Sequence, residues 1–255
     1  MRSKLLATVA LTVFGIVLGT AMGLVPGVSS TAHAQDSGDP TPDDLYDDKT
    51  ERLEAGDAAQ FGVGVRLRYV FVPKGMIELF LEEVPSGVGH PGFGFEFVRR
   101  KGNFDLVVGL EYENISPEDG LYLEKGDTPG IPGENPDVVE FDGFAMLGLD
   151  VAFLWHSAIA PRIDFRYGAG IGIGAVLGDI IQTDTMCSTV GEISSCQKDL
   201  GGEQVNEKNE DVPPVVPIVN LLIGSRIELA PQLTLNVEAG FRNLFYMGVG
   251  TTYMF

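Results

Sequence analysis

The sequence predicts an all-β fold, an antiparallel transmembrane β-barrel of eight strands, with ten as the alternative count. Three observations predict it. From Gln60 onward apolar residues recur at every second position. The connections sort by length, short at 101–103, 156–161 and 231–232 on one side, long at 73–90, 115–138 and 179–211 on the other, with a tight turn near 243. The last stretch, Leu244 to Phe255, is itself a two-faced strand that stops on an aromatic residue. A soluble sandwich would bury its apolar face and put its arginines in water, whereas a barrel in lipid inverts the two and sorts its loops by side.

The chain is organised as residues 1–34, 35–59 and 60–255. The first part carries Arg2 and Lys4, an apolar run from Leu5, and the small-residue site Ala32-His33-Ala34 before Gln35, as a cleaved secretory signal does. The competing reading is an uncleaved membrane helix over Leu5 to Val25, but Gly15, Gly19, Gly23 and Pro26 interrupt that run. Residues 35–59 crowd Asp36, Asp39, Asp43, Asp44, Asp47 and Asp48 together and hold too little apolar surface to fold alone. They read as an acidic, flexible segment with at most one helical turn around Lys49 to Leu53.

Each predicted strand shows the same alternation. Phe61, Val63, Val65, Leu67, Tyr69 and Phe71 oppose Gly62, Gly64, Arg66 and Arg68; Phe93, Phe95 and Phe97 oppose Gly94, Glu96 and Val98. After Lys101-Gly102-Asn103, Phe104, Leu106, Val108, Leu110 and Tyr112 oppose Asp105, Gly109, Glu111 and Glu113. The fourth strand, Val139 to Trp155, sets Phe141, Leu147, Leu149, Val151, Phe153 and Trp155 against Glu140, Asp142, Gly148 and Asp150. The fifth sets Ile163, Phe165, Tyr167, Ile171, Ile173 and Leu177 against Asp164, Arg166 and the glycines 168, 170, 172, 174 and 178. The sixth, Ile218 to Ala230, turns at Pro231-Gln232 into the seventh, and the terminal strand makes eight. Met76 to Glu83 reads either as a loop helix or as a hairpin extension.

Charge narrows the partners. The chain has 17 basic and 36 acidic residues, a net −19, and loss of residues 1–34 leaves 15 against 36, a net −21. That disfavours nucleic acid, which needs a basic footprint. It suits solvated loops, or loops that meet divalent cations at an anionic cell surface. Cys187 and Cys196 share one polar stretch of an exported chain and are expected to form a disulfide. No His or further Cys lies near enough to make them a metal pair, and neither a cofactor nor a metal site is expected.

An amphipathic final strand closed by Tyr253 and Phe255 resembles the assembly signal of bacterial outer-membrane β-barrels. Over nearly all of 60–255, the layout resembles the small OmpA/OmpX/OmpW-type barrels. The resemblance implies a bacterial outer-membrane location, extracellular long loops, short periplasmic turns and a periplasmic C-terminus. It also implies contact with outer-membrane lipid including lipopolysaccharide, and recognition by the barrel-assembly machinery through the last strand. Trp155, Tyr69 and Tyr253 read as interfacial girdle residues.

An eight-stranded lumen is just wide enough to be filled by side chains. The inward set comprises Arg66, Arg68, Arg166, Arg226 and Arg242 beside Glu96, Asp105, Glu111, Glu113, Asp150, Asp164, Glu228 and Glu238. Buried charges persist only when paired, so these should form an internal salt-bridge network. The expected role is structural or surface-interacting, with an unknown extracellular ligand. The alternative is a narrow small-solute channel of OmpW type, for which the inward glycines, including Gly248 and Gly250, would leave room. A lipid acyl hydrolase is the third reading and a weak one. It would need His90 or His156 beside a serine and an acid, and His156 and Ser157 are adjacent residues pointing apart. The Gly168 to Gly174 run does not open a helix, so it is a barrel face and not a phosphate cradle.

Overall fold

The computed structural model describes residues 58–255; the expected signal, and the acidic segment up to residue 57, lie outside the described residues. In chain order the elements are β1 (Gln60–Val72), α1 (Lys74–Ile77), β2 (Leu81–Glu83), β3 (Val88–Lys101), β4 (Phe104–Asn114), β5 (Gly120–Glu124), β6 (Asp137–Ala160) and β7 (Ile163–Thr183). There follow β8 (Thr185–Cys187), a 3-10 turn Ile193–Ser195, β9 (Cys196–Lys198), β10 (Glu207–Lys208), β11 (Val215–Ala230), β12 (Leu233–Arg242) and β13 (Leu244–Met254). Eight of these form a closed ring in the order β1, β3, β4, β6, β7, β11, β12, β13, every neighbour antiparallel, with β13 returning to β1. Closure satisfies every strand edge, which is what a sheet requires in hydrocarbon.

The alternation puts large apolar side chains outside. Leu67 is 63%, Phe95 59% and Ile171 67% exposed, and their strand neighbours Arg66, Arg68 and Glu96 are buried. So continuous an apolar exterior belongs to a protein immersed in lipid. Aromatic rings gather at both ends of the belt. Toward the short turns Phe61 stacks on Phe97 at 5.9 Å and Phe104 lies 5.4 Å from Trp155; toward the long loops Phe71 stacks on Phe245 at 6.0 Å. Tyr69 stands near the long-loop end, Trp155 and Tyr253 near the other.

Several expected boundaries move. β6 continues through His156 to Ala160, so the connection expected at 156–161 shrinks to Pro161 and Arg162. β3 begins at Val88, since the alternation of Phe93 to Phe97 extends back through Gly92 and His90 in register with β1. The tight turn between β12 and β13 is the single residue Asn243 at φ 60°, whose side chain accepts from Val219 N at 3.0 Å and donates to Pro217 O at 2.8 Å. Asn is among the few residues that enter this left-handed region readily.

β6 and β7, at 24 and 21 residues, outrun the 9–11 residues a spanning strand needs. A bulge between Asp142 and Ala145 marks where they leave the barrel, with Gly143 at φ 62° facing Gly178 at φ 80°. The bulge shifts the phase, which corrects three expected positions. Glu140 and Asp142 do not face the lumen, and Gly178 lies on the exposed bend. Beyond it β2, β5 and β10 join the hairpin in a sheet ordered β10, β7, β6, β5, β2. Leu81, Val84, Tyr122 and Val139 form its small core, with Ile77, Phe141 and Ile180 packed against them. Met76 to Glu83 thus contributes both a helical turn and a short loop strand, and no ninth barrel strand.

Candidate functional site

The lumen is stratified. Toward the long loops, Arg66 lies 3.2 Å from Glu111, 3.7 Å from Glu96 and 3.6 Å from Asp150. Arg68 donates to Glu111 at 2.6 Å and to Glu238 at 2.7 and 2.9 Å, its guanidinium 4.1 Å above the Tyr246 ring. Arg242 joins Glu113 at 2.8 Å and Asp150 at 3.1 Å, and Arg166 approaches Glu238 at 3.6 Å. These residues come from β1, β3, β4, β6, β7 and β12, so one connected network ties most of the wall together. Shared carboxylates offset the desolvation of each charge, because every guanidinium meets at least one acid.

Toward the short turns lies a second group. Arg100 grips Asp105 with two bonds at 2.7 and 2.6 Å, His156 Nε2 meets the same carboxylate at 2.7 Å, and Arg226 approaches Asp164 at 3.1 Å. Glu228 stands at the mouth, 36% exposed and 3.5 Å from Arg226, so it belongs to the rim and not to the central network.

Between the two groups runs an apolar layer of Val98, Val107, Ala152, Leu154 and Leu222, all buried in one cluster. On β3 and β6 these positions fall between polar inward residues, Val98 between Glu96 and Arg100, and Ala152 and Leu154 between Asp150 and His156. β3 and β11 are four strands apart in a ring of eight, so a cluster holding both Val98 and Leu222 crosses the whole bore.

The inward glycines do not make a path. A methyl at Gly109 would strike Arg66 Nη2, and one at Gly148 would strike Arg242 Nη2, so these two are seats for guanidinium groups. A Cβ at Gly248 would come within 2.8 Å of the Arg68 side chain, and one at Gly250 within 3.1 Å of that of Arg66. Gly168, Gly170 and Gly172 face backbone of β6, where Phe153 O, Val151 O and Leu149 O leave no room for Cβ. Bare backbone here draws β6 and β7 together and lets the strands curve.

Arg100 and His156 are the lumen residues that the sequence argument missed. Both follow from extending the alternation two residues beyond Val98 and Leu154. His156 is buried inside while Ser157 is exposed outside, so they form no catalytic pair. His90 Nε2 meets Ser116 O at 2.6 Å near the long-loop end. No cluster of three or more candidate metal ligands occurs among the described residues.

The long-loop end is ordered by cross-links between loops. Cys187 and Cys196, direct partners of the β8–β9 hairpin, form a disulfide. That hairpin is held to the β5–β6 connection: Gly191 N donates to Pro129 O at 2.7 Å, Asn135 Nδ2 to Thr185 O at 3.0 Å, and Thr185 Oγ1 to Pro136 O. Tyr122 donates to Glu118 O at 2.6 Å, and burial, reinforced by the carboxylates of Asp119 and Glu118, raises its hydroxyl above the ordinary phenolic range. Lys74, Lys125, Lys198 and Lys208 are each paired with loop carboxylates.

The sequence matches no protein-family model and no curated protein. Among solved structures it is similar to Neisserial surface protein A, at 10% identity over 78% of this chain and 100% of that one, with a TM-score of 0.44. It is also similar to the outer membrane protein Ail of Yersinia pestis, at 8% identity over 78% and 100%, TM-score 0.36. A third is the N-terminal β-barrel domain of Pseudomonas aeruginosa OprF, at 11% over 78% and 100%, TM-score 0.31. The fold itself stands on the strand pairings: this chain is a closed, antiparallel, eight-stranded transmembrane β-barrel.

Proposed function

We propose that the protein is a bacterial outer-membrane barrel that holds its long loops at the cell surface as an ordered interaction platform. In this reading residues 1–34 are removed on export, and the acidic segment to residue 59 lies in the periplasm with the short turns and the C-terminus. The strand ending in Tyr253 and Phe255 is the part the assembly machinery engages, and the wall contacts outer-membrane lipid including lipopolysaccharide. An extracellular ligand binds the loops.

The observation that carries this reading is the packed bore beneath cross-linked loops. An ion crossing the layer of Val98, Val107, Ala152, Leu154 and Leu222 would meet side chains that cannot replace its water, while Asn236, Thr252 and Glu96 on the facing strands are already bonded to one another. The loops, by contrast, hold their shape through the Cys187–Cys196 disulfide and the bonds between residues 129–136 and 185–191. That favours display over conduction. Acyl hydrolysis is disfavoured, since His156 and Ser157 lie on opposite faces of β6.

Planar-bilayer recording on refolded protein, its folding checked by a heat-dependent gel shift, tests the sealed lumen. Silence is the expected result, and discrete, reproducible openings would favour the small-solute channel instead. An antibody raised to residues 188–195 is expected to label intact cells. Labelling only after the outer membrane is permeabilised would reject the extracellular orientation.

A further inference from the structure

Among the described residues, ten of the thirteen lysines and arginines have a carboxylate within the 4.0 Å that defines an ion pair. The three left over are Arg99, Lys101 and Arg162. All three are exposed, and all three stand at the short-turn end. Arg99 and Lys101 occupy outward positions of β3 in phase with Phe97, and Arg162 lies in the β6–β7 turn. The two turns are adjacent, because β4 and β6 are paired from Phe104 and Trp155 upward.

Their surroundings are apolar. Arg99 is in register with Phe61 on β1 and Leu106 on β4, and Lys101 with Phe104, whose ring lies 5.4 Å from Trp155. Cations just below an aromatic girdle sit at the depth of lipid phosphates, their stems along the apolar wall and their heads in the polar layer. Among the described residues the nearby acids are already engaged: Asp105 by Arg100 and His156, Asp164 and Glu228 by Arg226. Among the described residues the opposite end of the barrel carries only paired lysines among many carboxylates, so unpaired positive charge stands at one end alone.

We propose that Arg99, Lys101 and Arg162 form a binding rim for anionic glycerophospholipid, the phosphodiester headgroup being held by the three cations and the first acyl carbons lying against Phe97, Phe104 and Trp155. The rim selects a headgroup with net negative charge over a zwitterionic one, because among the described residues each acidic side chain at this end is already paired and none is left for a choline or ethanolamine nitrogen. This inference rests on the reading that the barrel spans a membrane.

Trp155 is the chain's single tryptophan and stands beside the rim, so it reports which lipid is there. Folded protein is placed in vesicles of phosphatidylcholine with a varied fraction of phosphatidylglycerol, and either lipid is supplied with brominated acyl chains that quench indole fluorescence. Brominated phosphatidylglycerol is expected to quench Trp155 with about fivefold or greater apparent preference, the order that one interfacial basic side chain provides. The preference should vanish in R99Q/K101Q/R162Q and fall steeply in high salt. Equal quenching by the two lipids, or a preference that survives the triple substitution, overturns the rim while leaving the membrane reading intact. No quenching by either lipid in a barrel that still shows its heat shift overturns the membrane reading and the rim with it.

Discussion

Arg242 on β12 and Glu113 on β4 meet at 2.8 Å from walls four strands apart, so a single ion pair spans the lumen from side to side. Both are buried, and Arg242 also holds Asp150 at 3.1 Å. Removing Arg242 leaves Glu113 without its ion-pair partner inside the barrel, whereas removing Glu113 leaves Arg242 still held by Asp150. R242Q is expected to cost about 3–5 kcal/mol and E113Q less, read by urea unfolding in micelles with Trp155 fluorescence. The double variant should lose clearly less than the two singles summed. Strict additivity would mean that the pair is not coupled.

Glycine positions divide by what they face. At Gly168 a side chain would collide with Phe153 O on the neighbouring strand, and backbone there can yield only by opening the sheet. G168V is therefore expected to prevent folding, seen as loss of the heat-shifted band. Gly75 in α1 has no atom within 4 Å of the Cβ position. G75A is expected to leave the barrel unchanged within about 0.5 kcal/mol, as surface substitutions away from special features usually do.

Leu222 reaches across to Val98 in the apolar layer that crosses the bore. L222A should destabilise by about 2–5 kcal/mol through the cavity it leaves. Bilayer current is expected to stay absent in this single variant and to appear only when Val98 and Val107 are truncated with it. Openings from L222A alone would show that one side chain carries the seal.

Reducing the Cys187–Cys196 bond releases a hairpin whose other anchors are hydrogen bonds to the β5–β6 connection. A constraint on so short a loop is worth about 2–3 kcal/mol, and it acts locally. Reduction is expected to expose residues 188–195 to protease while the heat-shifted band persists. Loss of that band on reduction would mean that the loop supports the barrel itself.

The wall was legible because lipid and a packed lumen impose opposite demands on alternate residues. Phe61 to Phe71 and Phe104 to Tyr112 state those demands without interruption. The charged inward positions followed from the same phase. The sequence ends the fourth strand at Trp155, where the next inward residue is a histidine, a type equally at home in turns, and so hides the Asp105–His156 contact. The bulge at Gly143 was illegible because Phe141 keeps an apolar residue in the expected phase after the strand has left the barrel. The apolar seal depends on which inward residues share a height, and that is fixed by strand tilt and stagger around the ring, not by any strand's own pattern. The loop core of Leu81, Val84, Tyr122 and Val139 has no period to read at all.

The ring closes where Phe255 and Phe61 exchange backbone bonds, the amide of Phe255 donating to Phe61 O at 2.8 Å and that of Phe61 to Phe255 O at 3.4 Å. The first strand to be made is thus completed by the last. Until β13 arrives, β1 and β12 each carry a row of unpaired amides and carbonyls that hydrocarbon cannot accept. A nascent chain stalled before Leu244 has nowhere to reside except water or a chaperone. Insertion is then effectively an all-or-none test of whether β13 is present to close the ring.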